Sequence, residues 1–251
     1  MIETAERAAP GRPSEDRIFV LPNAVVLLDG VTSTRPPTRN GGWYADTLGA
    51  ELTALLAQPG TLGDLLATAI TNITKRHTLI PGDSPACTVA ITRWTTNTID
   101  VLVLADSPVI VFTPEPKVIA DTRLANLRPI TRPLAELTNR KDGYWVAEAV
   151  PEAGHQALQA TFPRSEVENV IMTTDGVSCG VDDYQLFKDW QSVLDLITTT
   201  GPEAVLDQIR TAEEADSSKT RWPRPKTHDD QALARINFTI TKNNYDQNPR
   251  T

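Results

Sequence analysis

Several short apolar runs in this chain stop at a carboxylate, and that pattern constrains the fold more than any bulk property. AVVLL at 24–28 runs into Asp29-Gly30, VLVLA at 101–105 into Asp106-Ser107, and NVIMTT at 169–174 into Asp175-Gly176. Two more acidic pairs flank strand-like runs: Glu15-Asp16 beside RIFVL at 17–21, and Asp229-Asp230 beside QALARINFTI at 231–240. A carboxylate at the end of a buried strand is held by a rigid element yet faces solvent. Several that converge repel one another unless a cation sits between them. The pattern therefore points to an all-oxygen site for a hard divalent cation. Any one Asp-Gly taken alone is an ordinary tight turn.

The bulk properties are compatible with that reading and exclude others. At 251 residues the chain can bury a sizeable core without disulfides. A formal net charge of -8 argues against nucleic acid or an anionic membrane as partner. Cys87 and Cys179 make neither a disulfide framework nor a zinc site, so they are expected to be packed thiols. The start, MIETAERAAPGRPSED, has no apolar stretch resembling a signal peptide, and no run is long enough to span a membrane. The expected location is a reducing cytoplasm.

The hydrophobic pattern predicts strands in blocks and helices in pairs. RIFVL and AVVLL flank a Pro22-Asn23 turn. VTSTRPPTRNGG at 31–42 reads as a loop, followed by a helix over 43–58 whose Tyr44, Leu48, Leu52, Leu55 and Leu56 share a stripe. A second helix begins at Thr61, with Asp64 in a capping position. CTVAITRW and TIDVLVLA suit a hairpin, and PVIVF follows the Asp106-Ser107 turn. The stretch 121–143 is basic and irregular; GYWVAEA at 143–149 reads as a short strand, and PEAGHQALQATF at 151–162 as a helix opened by Pro151. Two helices follow Asp175, marked by Trp190, Val193, Leu194, Ile197 and by Val205, Leu206, Ile209. A basic, proline-bearing loop at 217–228 precedes the final strand. The order argues for an α+β fold of antiparallel sheets with helices outside, in one domain over 1–241 with a frayed tail at 242–251.

The ordered acidic motifs resemble those of the metal-dependent protein phosphatases, the PPM or type-2C Ser/Thr family. The pieces are SEDR at 14–17, LLDGV at 27–31, PACTVAI at 85–91, LADSPV at 104–109, TTDGV at 173–177 and HDDQA at 228–232, and they run in the family's order along nearly the whole chain. DGYWVAEAVPEA and RWPRPKTHDD are similar to an actinobacterial branch. The resemblance implies a four-layer αββα sandwich of two antiparallel sheets flanked by helices. It implies that Asp29 bridges two Mn²⁺ or Mg²⁺ ions, that Asp175 and Asp229 complete the first ion's protein ligands, and that the Gly30 carbonyl helps hold the second. Glu15 and Asp16 would reach the second ion or bound water, and Asp106 with Asp175 would offer a third, weaker site. The implied activity is hydrolysis of phosphoserine or phosphothreonine in a phosphorylated protein by a water activated between the two ions, with no nucleophilic side chain.

The sequence departs from the family at instructive places. A histidine often follows the first Asp-Gly pair as proposed general acid, and here that position is Val31. His228 beside Asp229 could substitute, although a packed or surface histidine is the blander reading. For the phosphate-gripping arginine the candidates are Arg12, one place out of register, and Arg17 just after Asp16. The basic loop beside Asp229 could attract a phosphorylated segment. Cys179 has no neighbour that would lower its pKa and reads as structural. These departures leave two alternatives open: a catalytically weak or inactive pseudophosphatase that binds partners, and a hydrolase of small phosphorylated metabolites.

Overall fold

The computed structural model describes residues 1–31, 39–127 and 134–239. Strand β1 (Ile2–Arg7) precedes a hairpin of β2 (Arg17–Leu21) and β3 (Ala24–Leu28). Helices α1 (Gly41–Leu55) and α2 (Leu62–His77) follow, then β4 (Val89–Trp94), β5 (Thr98–Leu104), β6 (Val109–Phe112) and β7 (Pro116–Ile119). Two short helices, α3 (Arg123–Leu127) and α4 (Ala153–Gln156), lead to β8 (Leu158–Pro163) and β9 (Asn169–Thr173). Helices α5 (Asp175–Asp182), α6 (Trp190–Thr200) and α7 (Glu203–Ala215) precede the last strand, β10 (Gln231–Asn237).

The strands form two antiparallel sheets of five, ordered β1-β10-β9-β6-β7 and β2-β3-β4-β5-β8. Side-chain alternation along the central strands explains the layers. In β3, Val25 and Leu27 pack between the sheets, while Ala24, Val26 and Leu28 pack under α1 and α2. In β6, Val109 and Val111 face the other sheet, and Ile110 and Phe112 face α5, α6 and α7. An apolar run with no polar alternation is what a strand buried on both faces requires. The result is the expected α+β, four-layer αββα sandwich with three apolar layers of core. Among the described residues no helix is long and apolar enough to cross a membrane.

Several local expectations fail for identifiable reasons. Residues 151–162 are not one helix: after α4, β8 pairs antiparallel with β5, Phe162 opposite Ile99. Gly154 lies against the α2 backbone at Gly63 and Ala67, and the edge of β5 offers a ladder that local helix preference cannot match. GYWVAEA contributes isolated bridges, Cys87 to Ala147 and Thr138 to Tyr144, rather than a strand. The irregular stretch from 121 contains α3, and β7 before it was not expected. β1 also lies in a segment for which the sequence pattern predicted no element, and it pairs with β10 along its full length. The loop residues 32–38 and the expected tail boundary at 242 lie outside the described residues.

Candidate functional site

Antiparallel pairing delivers the acidic positions to one edge of the sandwich. Arg17 pairs with Leu28, so Asp16 and Asp29 are the next residues out from adjacent strands. Thr173 pairs with Leu233, which sets Asp175 and Asp229 beyond the same edge of the other sheet. Val89 pairs with Leu104, so the chain leaves β5 there and reaches Asp106.

The backbone around Asp29 is closely fixed. Its N–H donates to Thr88 Oγ1 at 3.1 Å, and the Thr88 N–H donates to the Asp29 carbonyl at 2.8 Å. Thr88 Oγ1 is in turn 2.6 Å from Ser107 Oγ. The Gly30 N–H donates to the Glu15 carbonyl at 3.2 Å, tying the first two motifs together. A Cβ at Gly30 would lie 2.5 Å from the Gly41 carbonyl carbon, so only glycine lets α1 start this close. Ala105, before Asp106, adopts a φ of 66°, a left-handed conformation that an alanine enters at a cost. Its N–H donates to the buried Asp121 carboxylate at 3.1 Å.

The carboxylates repel one another strongly. Burial, then repulsion from Asp16, Asp175, Asp106 and Asp229, holds the Asp29 carboxyl well above its ordinary range. Asp175, the first residue of α5, is pushed up to about 7 by burial and by Asp106 and Asp229, partly offset by a hydrogen bond with Asp29. Asp16 is pushed up to about 8 by burial and by Asp230, Asp175 and Asp229, against a hydrogen bond from Thr174. Asp16 Oδ2 is buried with no hydrogen-bond partner, an arrangement that costs free energy unless a cation takes it up.

Positive side chains border the group. Arg12 Nη1 donates to Glu15 Oε2 at 3.1 Å, and its Nη2 lies 3.0 Å from Asp230 Oδ2 and 3.6 Å from Asp229 Oδ1. Lys226 Nζ bonds both oxygens of Asp229, at 2.8 and 3.1 Å. Glu15 is buried and accepts from the Gly42 N–H at 3.3 Å. The Asp230 carboxylate serves the backbone, accepting from the N–H groups of Ala9 at 2.7 Å and Glu15 at 3.0 Å. Arg17 is not brought into the group: its guanidinium chelates Asp46 at 2.6 and 3.0 Å and donates to the Ser14 and Asp16 carbonyls. His228 Nδ1 lies 2.9 Å from Glu213 Oε2, and the Tyr184 hydroxyl bonds the same carboxylate, so the imidazole braces α7. Val31, in the place of the family's histidine, is exposed and has no proton to give.

A cavity of about 800 Å³ opens from Asp106, Asp175 and Asp229 and is walled by Cys179 and Asp182 of α5 and by Trp222 and Lys226 of the loop before β10. Burial raises the Cys179 thiol above its usual range, leaving it unreactive. Thr88, Thr174 and Ser107 lie inside the motifs PACTVAI, TTDGV and LADSPV but were given no role by sequence reasoning, and Lys226 had only its place in a basic loop next to an aspartate as a signal.

The donor chemistry fits a hard divalent ion: carboxylates, a buried partnerless oxygen and a nearby glycine carbonyl, with Cys87 and Cys179 held as thiols by burial. Among the described residues, however, no three Asp, Glu, His or Cys side chains are grouped so that they could hold a metal ion as they stand. Asp229 is held instead by Lys226 and Arg12.

No protein-family model and no curated protein sequence matches the chain. Solved structures do. The catalytic domain of the serine/threonine protein phosphatase PstP, in complex with two manganese ions, matches with a TM-score of 0.60 and 14% identity, over 94% of this chain and 97% of that one. The PPM Ser-Thr phosphatase MsPP from Mycobacterium smegmatis, in complex with cacodylate, matches with 0.60 and 16%, over 95% and 98%. The serine/threonine phosphatase Stp1 from Staphylococcus aureus matches with 0.59 and 12%, over 94% of each chain.

Proposed function

We propose that this chain, which has the fold of the PPM-type Ser/Thr phosphatases, is a Mn²⁺- or Mg²⁺-dependent phosphatase acting on phosphoserine or phosphothreonine in proteins. The observation that carries the reading is the mutual repulsion of Asp16, Asp29, Asp106, Asp175 and Asp229 at one edge of the sandwich. Carboxylates that only braced the fold would be surrounded by donors rather than by one another. In this reading Asp29, Asp175 and Asp229, with the Gly30 carbonyl, hold the ions, and Glu15 and Asp16 reach the second ion or its water. Asp106 belongs to a third, weaker site. The bound ions would supply an activated water and neutralise charge on the phosphate.

The chain's own residues do the rest. Thr88 and Ser107 lock the backbone on which Asp29 is carried. Thr174 orients Asp16. Arg12, with one face on Glu15 and another toward Asp229, is the arginine in reach of a phosphate bound there. With Val31 beside Gly30 and His228 turned to Glu213, no imidazole among the described residues near this edge is disposed to protonate the leaving oxygen, and solvent would do so. Hydrolysis of a phosphopeptide with added Mn²⁺, abolished by a strong chelator, is the expected result. Turnover that persists in the chelator would overturn the mechanism.

A second reading, a pseudophosphatase that binds partners, is favoured by the Lys226 and Arg12 contacts to Asp229. Calorimetry separates the two: Mn²⁺ binding without turnover on a broad phosphopeptide panel supports the binding module.

A further inference from the structure

Asp121 is buried, lines the cavity that opens beside Asp106 and Asp175, and has no part in the chemistry proposed above. Its carboxylate is fully engaged. Oδ1 accepts from the Arg123 N–H at 3.1 Å and from Arg123 Nε at 2.8 Å. Oδ2 accepts from Arg123 Nη2 at 2.6 Å and from the Ala105 N–H at 3.1 Å. Four donors fill the lone-pair sites of a carboxylate, so Asp121 has nothing left for a metal ion. Three of the donors belong to Arg123, two residues on. The fourth belongs to the residue directly before Asp106, and the pairing of Ile119 with Val109 returns the chain to that place.

Ala105 does not hold its conformation by its own preference, because a φ of 66° brings an alanine Cβ against its own carbonyl oxygen. A hydrogen bond to an arginine-paired carboxylate is of the stronger kind and offsets that cost. Beyond Asp106 the chain is pinned twice. Ser107 Oγ lies 2.6 Å from Thr88 Oγ1, the atom that also accepts the Asp29 N–H. The Pro108 carbonyl accepts from the Thr173 N–H at 3.2 Å, two residues before Asp175. Asp106 stands between these anchors, near enough to Asp29 and Asp175 to repel both carboxylates. Released on the Ala105 side, the backbone would return to an ordinary negative φ and turn the Asp106 side chain away.

We propose that Asp121 is a positioning residue: through Ala105 it aims Asp106 toward Asp175, and so sets the affinity of the third, weaker ion site. The proposal rests on the phosphatase reading above and on the place of Asp106 in that site. Arg123 completes the device, because its Nη2 also donates to the Gln156 carbonyl at 2.9 Å and ties Asp121 to the end of α4. Residues that touch no ion but orient its ligands typically change metal affinity by about 10–100-fold.

A Mn²⁺ titration of the full chain tests this, read by the electron paramagnetic resonance of the free ion, which counts bound ions without turnover. Asp106→Asn is expected to lose the weakest binding event. Asp121→Ala should weaken that event about tenfold. Asp121→Asn, which keeps a neutral acceptor for the Ala105 N–H, should weaken it about threefold, so the test stands even where the alanine variant does not fold. Adding Ala105→Gly to either variant should return up to about fivefold, because glycine takes a φ of 66° without the steric cost. It should not return the stability lost with the Arg123 contacts. A purely structural Asp121 would weaken all binding events together, with no recovery from glycine, and that result overturns the proposal. An unchanged weak event in both Asp121 variants overturns it as well. Should Asp106→Asn keep the weak event, the third site and this proposal fall while the two-ion reading stands. A wild type that takes up no Mn²⁺ overturns the metal reading itself.

Discussion

Asp216 and Asp16 are both buried aspartates, and their surroundings push them in opposite directions. Asp216 is ringed by donors, three backbone N–H groups and Arg224, and its carboxyl is held down at about 2, chiefly by the Arg221 N–H. Asp16 is ringed by other carboxylates, one of its oxygens has no partner, and its carboxyl is pushed up to about 8 by burial. A satisfied carboxylate organises a loop. A frustrated one stores free energy that a bound cation can release, which is why the second environment marks a functional edge and the first does not.

The sharpest way to break the comparison is to neutralise the frustrated side. Asp29→Asn and Asp175→Asn should each cost phosphopeptide hydrolysis roughly a hundredfold or more, since even indirect partners of metal ligands cost 10–100-fold. The same changes should leave the melting temperature without added metal equal or higher, because a like charge is removed from a crowded site. A large fall in Tm would assign these residues to the architecture instead.

Added Mn²⁺ should stabilise the wild type by mass action, about 2.7 kcal/mol at a hundred times its dissociation constant. A thermal scan should show that rise disappear in Asp29→Asn. Equal rises in both proteins would mean the ion binds elsewhere.

On the satisfied side, Asp216→Asn should lower the melting temperature near neutral pH and loosen residues 219–228 to proteolysis. The sign of its pH dependence follows from the depressed carboxyl. Its contribution is fully present above the unfolded value of about 3.9 and is lost as pH falls through about 2. Wild type and variant should therefore converge in acid; a gap that stayed constant from pH 6 to pH 2 would show that the charge is not what matters.

The smallest effect belongs to Ala105. Replacing it with glycine should relieve its left-handed φ of 66° and stabilise the chain by at most about 1 kcal/mol, because glycine also frees the unfolded state. Loss of stability in a denaturant titration would show that the methyl group's packing outweighs the strain.

Legibility from sequence varied with how local the cause was. AVVLL, VLVLA and NVIMTT announce strands buried on both faces, and the Thr61–Asp64 cap of α2 appears as expected, the Thr61 hydroxyl accepting from the Asp64 N–H at 3.2 Å. β1 was missed because IETAER carries three charges and becomes a strand through its pairing with β10, more than 220 residues away. β8 was misread because HQALQATF suits a helix locally, while the open edge of β5 decides. In the candidate site, the aspartates stand out as strand-end acids. The side chains that orient or cover them do not: Thr88 and Thr174 are unremarkable threonines, and the pairing of Arg17 with Asp46 instead of a phosphate depends on where α1 lies.

By itself the sequence determined that helices lie outside buried sheets, through runs too apolar to face water on either side, and that three of those runs, AVVLL, VLVLA and NVIMTT, end in an acid. Only the tertiary structure decided which acids meet. Asp216 takes its donors from the loop at 220–224 just after it, a local arrangement, whereas Asp16 meets Asp175, Asp229 and Asp230 only because the register of strands brings distant parts of the chain together.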